Sequence, residues 1–223
     1  MFWRVFAGFA ALCSMAACAS SPAPIVRHYP PAPYQQAPSG GLYASAPFAP
    51  LHGELFVCNN GAGSNLGEIG ARGEALRYSP YMHTPAGALL RNPTETACLS
   101  SGFGWRNSMG GAGREHAGLD LANRGGGFIY AAADGWVTHA GWRGAYGNVV
   151  ELDHGHGVRT LYAHLAEIDP RLAPGMFVPA RAPMARMGAT GNATGVHLHY
   201  EVMVHGLRVD PLRYGPAEEA PVS

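Results

Sequence analysis

The sequence predicts an all-β fold: a mainly antiparallel sheet of short strands that forms a groove, preceded by an irregular N-terminal extension. The 31 glycines and 18 prolines among 223 residues favour turns and short strands over long helices. From about residue 100, short apolar runs alternate with Gly, Asn and Asp turns. The spacers are too short for crossover helices, so neighbouring strands should run antiparallel.

Six strands are predicted in this second half of the chain, at residues 127–131, 135–142, 148–153, 158–165, 184–189 and 197–204. Before residue 100, the run Leu55–Val57 indicates one short strand, and residues 73–77 suggest a helical turn. Glycine and proline interrupt the rest. We therefore predict an irregular extension over residues 51–99 and a compact domain over residues 100–214, followed by a tail over residues 215–223.

The first 18 residues have the pattern of a secretion signal. Arg4 provides the positive charge, and the apolar stretch after it is too short for a permanent membrane span. It ends in Met-Ala-Ala-Cys18, which resembles a bacterial lipobox, so we expect lipidation of Cys18 and a membrane anchor. Because Ala19 rather than Asp follows Cys18, resemblance to enterobacterial lipoproteins suggests the outer membrane. The alternative is plain cleavage near Ala17 or Ala19.

Residues 19–50 contain eight prolines among small and polar residues and are predicted to be a flexible tether. The two cysteines that follow, Cys58 and Cys98, would lie in an oxidising compartment and most simply form one disulfide. Two free buried thiols are the alternative. The 15 basic and 15 acidic residues balance, so no net charge attracts the chain to nucleic acid.

The sequence His197-Leu-His199 is the most informative part of the chain. Residues two apart on a strand point to the same face, so His197, His199 and Glu201 share one face and the apolar residues between them share the other. One face can therefore pack while the other binds a divalent metal. Glu201 is either an acceptor that orients one of these histidines or a surface carboxylate.

His116 and Asp120 complete the predicted metal site. In a straight strand, residues four apart would lie about 13 Å from each other, so the chain must bend between them, and Gly118 would allow this. With His199, they supply two imidazoles and one carboxylate. Three protein ligands leave one tetrahedral position for water, which is typical of a catalytic zinc site.

A further histidine, His164, follows Thr160 and Tyr162 at alternate positions, so all three are predicted to share a face. Tyr162 could line the groove, although an aromatic half-buried on the sheet is the simpler interpretation. Histidines that do not bind metal, His164 and His197, could move protons or stabilise an oxyanion in a zinc hydrolase.

Seven segments between residues 101 and 214 together resemble the lysostaphin/LytM-type zinc metallopeptidases, which are peptidoglycan endopeptidases. They are Gly102-Phe-Gly-Trp-Arg106, His116-Ala-Gly-Leu-Asp120, Ala132-Ala-Asp-Gly-Trp-Val137, Tyr146-Gly-Asn-Val-Val150, Tyr162-Ala-His-Leu165, Gly188-Ala-Thr-Gly191 and Thr194-Gly-Val-His-Leu-His199. Their order and separation match the family. Arg181 departs from it, because it stands where the family usually has a turn glycine.

The resemblance implies one Zn²⁺ bound by His116, Asp120 and His199, with His164 and His197 as catalytic histidines. It further implies a hydrolase that acts on peptidoglycan, and in a Gram-negative cell the D-Ala–diaminopimelate cross-link is the expected bond. Some relatives have lost metal ligands and activate cell-wall amidases without hydrolysing anything, so such a regulatory role is the alternative. Inhibition of the groove by residues 51–97 is a separate hypothesis.

Overall fold

The computed structural model describes residues 50–61, 63–76, 78–106 and 113–215. The predicted signal segment with Cys18, nearly all of the predicted tether and the C-terminal residues 216–223 lie outside the described residues. Within the described ranges, no helix combines the length and apolar character that a membrane crossing needs.

The described residues form fourteen strands and two short 3-10 helices. The strands are β1 (Tyr81–Thr84), β2 (Gly87–Leu90), β3 (Cys98–Ser101), β4 (Gly104–Arg106), β5 (Arg114–His116), β6 (Leu119–Ala122), β7 (Phe128–Tyr130), β8 (Gly135–Trp142), β9 (Asn148–Gly155), β10 (Val158–Ile168), β11 (Phe177–Val178), β12 (Pro183–Met187), β13 (His197–Val204) and β14 (Leu207–Val209). The 3-10 helices are Cys58–Gly61 and Gly144–Tyr146.

The central sheet contains ten strands, seven of them in the order β11-β8-β9-β10-β13-β6-β3, and β1-β2 and β4-β5 form two separate hairpins. The paired strands run antiparallel, and short connections join β8 to β9 and β9 to β10. The all-β prediction is confirmed, and strands β8 and β13 have the predicted bounds. The helical turn suggested for residues 73–77 is wrong, since Glu74 and Ala75 form β-bridges with Phe56 and Ile69.

The two faces of β13 have the predicted characters. Leu198, Tyr200, Val202 and Val204 pack in the main hydrophobic core, where the first three are completely buried. The residues between them point to the opposite face of the sheet. The alternation therefore divides this strand into a packing face and a face free for polar side chains.

Strand β10 does not follow its predicted alternation. Tyr162 is completely buried in the main core, and its hydroxyl accepts a hydrogen bond from the Ala132 N–H (2.9 Å). His164 points to the opposite face, because a register shift follows Tyr162 and the backbone of His164 has a φ of 61°. This β-bulge turns the side chain of His164 to the face opposite that of Tyr162. The predictions that Tyr162 could line the groove and that it shares a face with His164 are wrong.

The Tyr162 hydroxyl belongs to a buried polar chain. It bonds to Thr160 Oγ1 (2.9 Å), which lies 2.7 Å from His154 Nε2, while His154 Nδ1 lies 2.7 Å from the carbonyl oxygen of Asp134. A carbonyl only accepts, so Nδ1 of His154 carries a proton. Burial lowers the pKa of His154 and so favours its neutral form.

The N-terminal extension packs on the edge of the sheet. The structure contains the Cys58–Cys98 disulfide, which joins the extension to β3. Arg91 donates hydrogen bonds to the carbonyl oxygens of Tyr81, Pro211 and Tyr214, so the β1-β2 hairpin also contacts the end of the domain. Elsewhere, Arg181 has a φ of 65°, the left-handed conformation that glycine adopts most readily.

Candidate active site

The five predicted site residues converge from four strands. β5 ends at His116, β6 contains Asp120, and β13 contains both His197 and His199. His199 lies directly opposite Asp120 in the pairing of β13 with β6. The β-bulge of β10 turns His164 toward the same place, and all five residues line one groove.

The bend between His116 and Asp120 depends on Gly118. A Cβ atom at this position would lie 2.2 Å from the carbonyl oxygen of Tyr200, far inside van der Waals contact. The glycine is therefore required by the close approach of two backbones rather than by its own φ. The bend brings the side chains of His116 and Asp120, which are four residues apart in the sequence, together at the candidate metal site.

Three potential ligand atoms form a small triangle. His116 Nε2 lies 3.0 Å from Asp120 Oδ1 and 3.0 Å from His199 Nδ1, and His199 Nδ1 lies 2.8 Å from Asp120 Oδ1. The ligands of a tetrahedral zinc ion, at about 2.0–2.1 Å from the metal, stand about 3.3 Å from one another. The described residues contain this one group of three His, Cys or acidic side chains with metal-site geometry. The separations and the donor atoms of this group fit a divalent ion such as zinc.

Hydrogen bonds on the far side of each imidazole select the coordinating nitrogen. His116 Nδ1 lies 2.7 Å from the carbonyl oxygen of Gly102, so Nδ1 donates and the lone pair of Nε2 faces the triangle. His199 Nε2 lies 3.1 Å from Glu201 Oε1, so Nε2 donates and Nδ1 faces the triangle. Both rings are therefore fixed in the tautomer that a metal requires.

Asp120 is held as a carboxylate with its oxygens in different roles. Oδ1 faces the two imidazoles, and Oδ2 accepts a hydrogen bond from Arg106 Nη2 (2.6 Å). Burial alone would raise its pKa, but hydrogen bonds and charge interactions with His116 and His199 hold the pKa well below the usual range. Asp120 is therefore ionised at neutral pH.

Glu201 is the centre of the hydrogen bonds behind His199. Its side chain is completely buried. Oε1 also accepts a hydrogen bond from the Tyr146 hydroxyl (2.6 Å), and Oε2 accepts one from Arg208 Nε (2.8 Å). Burial raises the pKa of Glu201, but the hydrogen bonds from His199, Tyr146 and Arg208 lower it by more. The carboxylate is ionised and can orient His199.

His164 and His197 stand beside the triangle with their ring centroids 4.8 Å apart. His164 Nδ1 lies 2.8 Å from the carbonyl oxygen of Thr190, and His197 Nδ1 lies 2.8 Å from that of Gly195. Each Nδ1 therefore donates, which leaves each Nε2 free to accept a proton. Burial and the nearby histidines lower the pKa of His164, so it is neutral at pH 7.

The groove has a volume of about 390 Å³. Its remaining lining comes from Arg106, Arg114, Glu115, Tyr146, Asn192 and Thr194, together with small residues between them. None of the described residues between 50 and 97 lines it. Nothing in this part of the extension therefore blocks access to the five central side chains.

Sequence reasoning missed Gly102, Arg106, Tyr146 and Arg208, whose contacts hold the metal-site residues in place. Gly102 and Arg106 belong to a segment that matches the family pattern, and so does Tyr146. The family pattern indicated that these residues matter, but it did not indicate what each of them does. Arg208 lies on β14 and has no comparable signal, because its contact with Glu201 depends on the β13-β14 hairpin.

The model of "Peptidase family M23" matches residues 114–211, which include all five site residues. Residues 114–211 form a peptidase family M23 domain. The resemblance of the sequence to the lysostaphin/LytM-type peptidases is thereby confirmed. The match ends short of β3, β4 and the whole N-terminal extension.

Curated relatives of the M23 domain include both an enzyme and a regulator. "DD-carboxypeptidase/endopeptidase Mpg" of Neisseria meningitidis serogroup B is 41% identical over 115 residues, which are 51% of this chain and 26% of the relative. "Murein hydrolase activator NlpD" of Salmonella dublin is 34% identical over 131 residues, 55% of this chain and 34% of the relative. The chain thus spans about a quarter to a third of their length.

Among solved structures, a "zinc containing peptidase from vibrio cholerae" superimposes with a TM-score of 0.52 at 28% sequence identity. The superposition covers 60% of this chain and 45% of that one. The fold of the M23 domain is therefore shared with a peptidase whose structure is described as containing zinc.

Proposed function

We propose that this protein is a zinc-dependent endopeptidase that hydrolyses peptide bonds in peptidoglycan. The observation that carries the proposal is the complete constellation: three ligand atoms within 3.0 Å of one another, next to two imidazoles whose Nδ1 atoms are bound to the backbone and whose Nε2 atoms are not. The M23 relatives named as peptidases support the same reaction class.

The residues divide into those that hold the metal and those that act on the substrate. His116 Nε2, Asp120 Oδ1 and His199 Nδ1 would hold Zn²⁺. Zinc bound there supplies a Lewis acid that polarises a carbonyl and lowers the pKa of water toward 7. Because each Nδ1 is fixed as a donor to the backbone, the Nε2 atoms of His164 and His197 would accept protons. Once protonated, either Nε2 would return its proton or donate a hydrogen bond to the developing oxyanion.

The proposed substrate is the stem peptide or cross-link of peptidoglycan, with the D-Ala–diaminopimelate bond as the expected site of cleavage. None of the described residues of the extension lines the groove. Lipidation at Cys18 would anchor the protein in the cell envelope, at the outer membrane facing the periplasm. The Pro-rich residues 19–50 would give the M23 domain reach into the wall.

Two substitutions separate metal binding from catalysis. In His199→Ala, zinc content and cleavage of purified cross-linked muropeptide dimers should both be lost. In His164→Ala, zinc should remain bound while the cleavage rate falls by a factor of about 10² or more, the usual effect of losing a general acid or base. The exposed His83 on β1 provides the control, since His83→Ala should change neither. A His164→Ala protein that cleaves at the wild-type rate would contradict the assignment.

The second candidate is a non-hydrolytic activator of a cell-wall amidase, favoured by the similarity to a murein hydrolase activator. This role requires the groove but not the metal. If it is correct, His199→Ala should still stimulate an amidase in a mixed digest, and the wild-type protein alone should release nothing. The complete set of ligands and histidines supports the endopeptidase over this alternative.

A further inference from the structure

We propose that the N-terminal extension is a structural part of the metal centre. Residues 56–58 and 63–66, called the support segment below, hold the backbone carbonyl of Gly102 that orients His116. This inference rests on the proposed metal site. It assigns a positioning role to a region outside the residues matched by the family model.

The first half of the support segment is fastened to β3. Val57 forms a parallel bridge with Leu99, whose N–H donates to the carbonyl oxygen of Phe56 (2.8 Å). The Cys58–Cys98 disulfide adds a covalent link at the start of the same strand. β3 in turn pairs with β6, which contains Asp120. The extension thus adds one more strand-like segment next to β3, which separates it from the strand that contains Asp120.

The second half of the segment holds the chain that leaves β3. Ser64 forms a parallel bridge with Ser101, and its carbonyl oxygen accepts hydrogen bonds from the Gly102 N–H (2.8 Å) and from Ser101 Oγ (3.2 Å). Asn65 Nδ2 donates to the carbonyl oxygen of Trp105 (2.8 Å). The β3-β4 connection is therefore fixed by the extension on both sides of Gly102.

The packing between the two chains leaves no room for a side chain. A Cβ atom on Gly63 would lie 2.2 Å from the carbonyl oxygen of Ser100, and one on Gly102 would lie 1.8 Å from that of Asn65. Backbone atoms cannot move aside as flexible side chains can. A methyl group at either position must push the support segment away from the β3-β4 connection.

The consequence for the metal site follows from one shared residue. The N–H of Gly102 donates a hydrogen bond to the Ser64 carbonyl oxygen of the extension, and the carbonyl oxygen of Gly102 accepts one from His116 Nδ1 (2.7 Å). This contact selects Nε2 of His116 as the coordinating atom. Changes in such outer contacts of a metal ligand typically cost 10–100-fold in metal affinity. Displacing the support segment should therefore weaken metal binding although none of its residues touches the metal.

The test compares two Gly→Ala variants of the extension, each made in the full-length chain. Gly63→Ala inserts the methyl group between the extension and β3, whereas Gly53→Ala places it in open space. Zinc affinity is measured by competition with a chromophoric chelator, and the His116 Nδ1–H is followed by NMR. We expect Gly63→Ala to bind zinc at least tenfold more weakly and to exchange this proton faster, with Gly53→Ala unchanged.

A second variant covers the case in which Gly63→Ala fails to fold. Cys58→Ala combined with Cys98→Ala removes only the covalent link, and a several-fold loss of zinc affinity in the folded protein is expected. Wild-type zinc affinity in either variant, with circular dichroism showing a folded protein, would overturn the inference. If the wild-type protein itself binds no zinc, the proposed function fails instead.

Discussion

The substitution Glu201→Gln tests how far His199 depends on the carboxylate behind it. The side chain is completely buried and accepts three hydrogen bonds, from His199 (3.1 Å), Tyr146 (2.6 Å) and Arg208 (2.8 Å). A glutamine of the same shape has one acceptor oxygen, so its NH₂ group must face a donor. The negative charge that polarises the His199 ring is lost as well.

The expected cost is a 10–100-fold loss of zinc affinity, or about 1.4–2.7 kcal/mol. Chelator competition at neutral pH measures it directly. The matched control is Glu151→Gln on β9, another buried carboxylate, whose hydrogen bonds come from Arg143 (2.7 Å) and Thr138 (3.1 Å) rather than from residues of the metal site. If Glu201→Gln binds zinc as tightly as Glu151→Gln, the argument that Glu201 orients His199 is refuted.

Three further predictions address other parts of the structure. Tyr162→Phe leaves the buried Ala132 N–H without an acceptor, so the free energy of unfolding measured with denaturant should fall by about 1–3 kcal/mol while zinc affinity stays unchanged. A weaker zinc affinity in the folded variant would contradict the placement of Tyr162 in the core. Gly118→Ala should abolish zinc binding, measured as metal content, because its Cβ would collide with the Tyr200 carbonyl at 2.2 Å; full occupancy would show that the backbones can separate. Burial lowers the pKa of His154, so the unfolded chain takes up a proton that the folded chain does not, and stability should fall as the pH drops below about 6.5. His154→Gln should reduce that dependence in denaturant titrations from pH 7.5 to 5.5, and an unchanged slope would contradict it.

The parts of the fold that sequence predicts well are those governed by local periodicity. β13 alternates strictly, so its two faces and its bounds are correct. Short Gly-rich spacers rule out crossover helices, which leaves an antiparallel sheet. The bend between His116 and Asp120 follows from the distance that a straight strand would impose.

The errors occur where tertiary contacts override that periodicity. The β-bulge at His164 arises because β10 pairs with β13 before it and with β12 after it, and a period-two pattern cannot reveal this change of partner. The bulge turns His164 away from the core face, on which Tyr162 stays. Gly102 acts through its backbone carbonyl and Arg208 through its place on a hairpin, so the local sequence does not reveal either contact, although Gly102 lies in a segment that matches the family pattern.

We propose that the protein cuts peptide bonds in peptidoglycan with a zinc site, and digestion of purified Gram-negative sacculi tests this most directly. The chain from residue 19 onward is used, and the released fragments are identified by mass spectrometry. Cross-linked dimers should give way to monomers, with a new end at the cleaved bond, and His199→Ala should release none. Intact cross-links after digestion with protein that carries stoichiometric zinc would contradict it.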